Sequence, residues 1–246
     1  MKLVQLLLFK MICLGSFAQN ASEIVKKMDE KMRGKSSQAE LIIKTIRPTW
    51  SREMQVKTWI KGTNYAMILV VTPVKEKGIV FLKRQKEVWN WIPTLERAIK
   101  LPPSMMTNSW MGTDFTNDDL VKESSIVDDY QHSIVGDTLI DKRSCYLIKM
   151  LPKPETAVVW GKLIVSIDKE NFLERHTEFY DEEGKLINVM FTNEIKIMDG
   201  RLIPTHFVMI PMDKKNHRTE IIYKSIQFDK KMEDDFFSLD KIKKIN

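Results

Sequence analysis

The chain has 246 residues, 43% hydrophobic and 29% charged, with two cysteines and 39 Lys+Arg against 33 Asp+Glu. The apolar content excludes a disordered polymer, the cysteine count excludes a disulfide scaffold, and 9 Gly with 9 Pro exclude collagen-like or low-complexity sequence. The net charge of +6 comes from acids and bases that alternate along the chain without a basic arm. It argues for a solvated surface and against a nucleic-acid partner.

Met1-Lys2 leads into Leu3, Val4, Leu6, Leu7, Leu8 and Phe9, and Ser16-Phe17-Ala18 then places small residues three apart. This reads as a secretory signal over residues 1–18, cut after Ala18, and predicts an exported protein whose remaining length suits one large β domain or two small ones. The apolar run is too short to span a bilayer, so a membrane-spanning protein is not expected. Cys13 follows Lys10, Met11 and Ile12, which does not fit a lipidation site. With the signal removed the charge falls to +4, and Cys145 is left alone, reading as a buried thiol.

Asn20 followed by Glu23 has the spacing of a capping box, and Ile24, Val25, Met28 and Met32 then recur at helical spacing until Gly34. One amphipathic helix is predicted over roughly residues 21–33. Beyond Ala39 the period becomes two. Met54, Val56, Thr58 and Ile60 alternate with Glu53, Gln55, Lys57 and Trp59, the pattern of a half-buried strand. Similar runs recur to the end, separated by turn residues at Gly62–Asn64, Gly136-Asp137, Asp168–Asn171, Asp181–Gly184, Asp199-Gly200 and Asp213–Asn216. Asp199-Gly200 is the strongest hairpin signal. Roughly ten strands joined by short turns describe an antiparallel meander that must curl to protect its edges and one apolar face.

Residues 93–125 break the pattern. Pro93, Pro102 and Pro103 exclude a central strand, and Thr116 with Asp119 resembles a cap opening a short helix through Leu120 and Val121. A long apolar irregular excursion from a sheet is expected to be a lid, a plug or a binding loop. The helix at 21–33 is a second lid candidate.

Catalytic chemistry finds little support. Gly34-Lys35-Ser36 resembles the end of a phosphate-binding loop, but Asp29 stands where that motif needs glycine. There is no Gly-x-Ser-x-Gly elbow, and His132, His176, His206 and His217 are isolated. Asp114, Asp118 and Asp119 lack calcium-loop spacing, and capping and turn formation account for them; Asp181-Glu182-Glu183 reads as a hairpin turn. No enzyme, metal or cofactor is expected. What stands out is soft and apolar: Trp89 and Trp91, then Met105, Met106, Trp110, Met111 and Phe115. Methionine adapts to ligands without fixed shape, and tryptophan offers a large apolar face. These seven are the candidate lipid-binding residues, although from spacing alone they read equally as core.

The block Trp89-Asn90-Trp91-Ile92-Pro93, Glu96-Arg97, Pro102-Pro103-Ser104-Met105-Met106 and Ser109-Trp110-Met111-Gly112-Thr113-Asp114-Phe115-Thr116-Asn117-Asp118-Asp119-Leu120 resembles the outer-membrane lipoprotein-sorting proteins, the LolA-like carriers. Arg47-Pro48, Trp50-Ser51-Arg52, Lys75–Gly78, Val159-Trp160-Gly161-Lys162 and Asp235-Phe236-Phe237-Ser238-Leu239 extend the resemblance over the chain that follows the signal. The resemblance implies a mainly β fold: a highly curved antiparallel sheet forming an incomplete barrel, with an N-terminal helix and short lid helices over its open mouth. It also implies a single domain over 19–246 and a periplasmic carrier that shelters lipoprotein acyl chains or other lipids in an apolar cavity during transfer towards the outer membrane. The alternative is an exported accessory subunit that docks on an inner-membrane transporter and carries no cargo.

Overall fold

Residues 20–122, 125–154 and 156–245 are described by the structure, a computed structural model. The expected signal and its cleavage site therefore lie outside the described residues. Helix α1 (Ala21–Arg33) starts where the Asn20 side chain accepts the Ser22 amide at 3.0 Å and ends at Gly34, whose φ of 62° needs a residue without Cβ. Ile24, Val25 and Met28 are buried, so one stripe of α1 faces the core.

Thirteen antiparallel strands form one sheet. The first six are β1 (Ser36–Ile46), β2 (Ser51–Lys61), β3 (Tyr65–Thr72), β4 (Val80–Arg84), β5 (Glu87–Ile92) and β6 (Arg97–Leu101). The other seven are β7 (Tyr130–Ile140), β8 (Arg143–Pro152), β9 (Lys162–Asp168), β10 (Glu174–Tyr180), β11 (Leu186–Met198), β12 (Arg201–Pro211) and β13 (Arg218–Phe228). The chain enters at the middle of the sheet, because β1 pairs with β2 on one side and β13 on the other. Strands β1 to β6 lead outward to one edge and β7 to β13 lead back from the opposite edge. Edges β6 and β7 are not paired, so the barrel stays open. The crossover at 102–129 carries the chain from one edge to the other.

Local chemistry explains the regular parts. Asp199 (φ 45°) and Gly200 (φ 76°) both have positive φ, the requirement of the two-residue turn between β11 and β12. Met54, Val56 and Thr58 are buried along β2, as their alternation predicts. At β6 the structure departs from the expectation of an irregular segment from 93 onward. Pro93 opens a single 3₁₀ turn and Pro102 follows the last paired residue, so the prolines flank a short edge strand without interrupting it.

Both faces of the sheet carry apolar residues. The larger cluster gathers the inward stripe of α1, Leu41, Ile43, Val56, Val70, Phe81 and the inner residues of β8 to β13. A smaller cluster lies on the opposite face of β3 to β5, where Met67, Leu69, Val80, Leu82 and Trp91 meet Phe237 and Ile242. The cover is the C-terminal segment with its short helix α2 (Leu239–Ile242), capped by Ser238. Phe236 packs at a tilt against Trp59, 5.6 Å between ring centres, and Phe237 against Tyr65 at 5.3 Å. Cys145 is a buried free thiol, and burial pushes its pKa up.

Candidate functional site: a roofed cavity in the open barrel

Between α1, the crossover and β9 to β13 lies a cavity of about 300 Å³. Alternation builds its floor. Leu163 and Val165, Thr177 and Phe179, Phe207 and Met209, and Ile221 and Tyr223 are pairs two residues apart that point to one face of their strands. Met28 and Met32 enter from α1, and Phe115, Leu120 and Ile126 from the crossover. The lining is mostly apolar and rich in methionine, with Met190 and Met209 adding to the two on the helix. Both predicted lid elements therefore border the hollow.

The crossover is held by specific polar bonds. Asp114 accepts from Arg47 Nη1 at 2.9 Å and from the Thr219 hydroxyl at 2.7 Å, and its amide donates to Thr219 Oγ1 at 2.9 Å. This ion pair is buried, with side-chain exposures of 9% and 4%, so losing one partner would strand a charge. Arg47 Nη2 also donates to the Gly112 carbonyl at 3.0 Å, and Arg52 bridges Glu76 and the Met111 carbonyl. Two arginines of the β1–β2 hairpin thus grip residues 111–114 from the sheet.

Further along, the predicted cap is formed reciprocally. Thr116 Oγ1 accepts the Asp119 amide at 3.1 Å, and Asp119 Oδ2 accepts the Thr116 amide at 2.8 Å. A single turn of π-helix, Asp118–Lys122, follows. The other carboxylate oxygen of Asp119, Oδ1, accepts the Trp160 indole N–H at 2.8 Å and so ties the roof to the wall. Trp160 is placed there by Gly161, where a Cβ would lie 2.5 Å from the Asp181 carbonyl oxygen, too close for any other residue. Burial pushes the Asp119 carboxyl up to about 6, against the opposing pull of its Trp160 and Thr116 hydrogen bonds.

The seven candidate lipid-binding residues are distributed unevenly. Phe115 lines the cavity. Met106 and Trp110 are buried in the larger cluster, Trp110 packing on Phe81 at 5.5 Å, and Met111 packs against that cluster from its margin. Met105 is exposed. Trp89 and Trp91 belong to the smaller cluster on the far face, because Val88 takes the inward position on β5. Spacing did not single out Met190, Phe207 or Met209, although their strand alternation was available as a signal, nor Leu120 and Ile126, which lie on the irregular crossover and had none. Among the described residues no group of His, Cys, Asp and Glu is placed to hold a metal ion, and no helix is long and apolar enough to cross a membrane.

An unclosed antiparallel sheet curved around a hollow, with a helix and a crossover roofing it, is an incomplete β barrel. Solved structures agree over nearly the whole chain. A LolA superfamily protein from Nitrosomonas europaea is 20% identical with a TM-score of 0.80, covering 91% of this chain and 99% of its own. A DUF1329 family protein from Desulfovibrio piger is 19% identical with a TM-score of 0.80, covering 90% and 97%. A domain from Vibrio parahaemolyticus described as an outer membrane lipoprotein-sorting protein is 18% identical with a TM-score of 0.79, covering 91% and 98%. At these identities the likeness is one of fold. No curated protein matches the sequence. A family model described as an uncharacterized protein matches residues 62–244, and the chain belongs to that family.

Proposed function

We propose that the protein is a periplasmic carrier that shelters acyl chains, of lipoproteins or of other lipids, during transfer towards the outer membrane. The observation that carries this reading is the methionine-rich cavity inside a sheet that does not close. An acyl chain in water costs ~0.8 kcal/mol per exposed methylene, and an apolar hollow offsets that cost. Flexible methionines accommodate a chain without fixed shape. The expected signal over 1–18 and the fold likeness to the Vibrio parahaemolyticus sorting domain give the reading its location and direction.

Loading and release require the roof to move between two arrangements of similar energy. The moving part in this reading is the crossover, with α1 as the opposite lip. Arg47, Arg52 and Asp119 hold the closed arrangement through bonds that opening would exchange for water. Phe115 contacts cargo, while Met106, Trp110 and Met111 stiffen the roof above it. No bond-making step is part of this function.

The test is retention of lipid. Protein purified from the periplasm without detergent should carry bound lipid in native mass spectrometry. Met32→Glu and Leu120→Glu, at half-buried positions on the lining, should lose it while melting near the parent. Recovery of lipid-free parent protein, or unchanged retention in both variants, would refute the carrier reading.

A further inference from the structure

Among the described residues the lining contains four carboxylates, those of Asp29, Asp118, Asp119 and Glu174. Three are occupied within the protein. Asp29 receives Arg33 Nε at 3.0 Å and Nη2 at 3.0 Å. Asp119 receives the Trp160 indole and the Thr116 amide, and Asp118 also has a partner. Glu174 differs. Among the described residues its side chain has one partner, the Thr177 hydroxyl on Oε1, which leaves Oε2 without a donor. Glu174 is half-buried at the cavity wall, and that burial pushes its carboxyl up. A carboxylate half satisfied beside an apolar hollow is a place where a ligand's donor gains most.

Volume supplies the second constraint. A cavity of 150 Å³ takes one benzene ring, so one of about 300 Å³ holds roughly a dozen carbon atoms. That is one alkyl chain, not two or three side by side. We propose that the cavity takes a single-chain amphiphile whose head is a protonated amine, with the ammonium donating to Glu174 Oε2 and the chain lying against the methionine-lined floor. This rests on the carrier reading and names its ligand class. An ammonium supplies both the missing donor and the missing positive charge, whereas an alcohol supplies only the donor. Among the described residues a fatty carboxylate would meet four acids and one guanidinium, that of Arg33, which is already committed to Asp29 and the Gly62 carbonyl.

Titration calorimetry on delipidated, otherwise intact protein tests the proposal, with dodecylamine, dodecanol and dodecanoic acid each below its micelle concentration. The amine should bind about tenfold more tightly than the alcohol, as one charge-assisted hydrogen bond provides, and the acid most weakly. E174Q, which keeps an oxygen acceptor, should remove that tenfold preference and leave dodecanol binding unchanged, and Glu174→Met should also remove the preference while weakening dodecanol, whose hydroxyl then has no acceptor. Dodecanoic acid binding as tightly as the amine, or a preference that survives both variants, overturns the proposal. So does capture of a diacyl lipid from phosphatidylglycerol vesicles that the amine cannot displace, an outcome that leaves the carrier reading standing. Binding of none of these probes defeats both.

Discussion

The two faces of the sheet use the same residue types and fill differently. On the far face of β3 to β5, Met67, Leu69, Leu82 and Trp91 are covered directly by Phe237 and Ile242, and the contact is closed. On the near face, Met190, Met209, Phe179 and Ile221 look across to α1 and the crossover, and about 300 Å³ remains between them. A short segment laid on a sheet follows its surface at van der Waals distance. A roof that must bridge two unpaired edges of a curved sheet cannot reach its floor everywhere. Hollowness is therefore a property of the span and not of the side chains.

The contrast can be broken first at the roof's anchor. Asp114→Ala leaves Arg47 charged and buried, and should cost about 3–5 kcal/mol in denaturant unfolding. An Arg47→Ala, Asp114→Ala double variant should recover part of that loss, since it removes both charges. On the packed face, Phe237→Ala should cost about 3–4 kcal/mol and leave lipid retention intact in the surviving folded fraction. Met32→Ala on the hollow side should do the reverse, with a loss below about 2 kcal/mol because the side chain is only half buried, and a clear fall in retained lipid. Equal stability costs at Phe237 and Met32 would mean that the hollow is as tightly packed as the far face.

A smaller effect follows from Asp119. Its carboxyl rises from 3.8 to about 6 on folding, so between those values the folded chain holds a proton that the unfolded chain has released. The sign is then fixed: this group's contribution falls as pH rises from about 4 to 6 and is flat above. Asp119→Asn should flatten that part of the stability profile. The Trp160 indole proton should report the titration directly by NMR, with a midpoint near 6 in the parent. The smallest change is expected at Met105→Ser, within about 0.5 kcal/mol, since this methionine is exposed on the roof's outer surface.

Much of this architecture was legible locally. Asn20 and Gly34 bound the helix, Thr116 and Asp119 form their cap, and Asp199-Gly200 makes its hairpin, because each depends on hydrogen bonds or φ angles within a few residues. Edge strand β6 was hidden by the prolines that flank it. The cavity was harder to see, because its lining comes from α1, the crossover and seven strands, from β2 to β13, spread along the chain.

By itself the sequence determined the period-two alternation, the turns, the helix, and the presence of a long apolar crossover. Alternation states which residues share a face and is silent on which face becomes concave. Trp89 and Trp91 share one, and only the meeting of β5 with the C-terminal segment decided that it is the packed outer face, leaving Val88 to point inward. The methionines divide on the same basis, with Met67 sealed under Phe237 and Met190 and Met209 facing the hollow. Curvature and the unpaired edges made that choice, and both arise from contacts between strands distant in the chain, which no local pattern of residues contains.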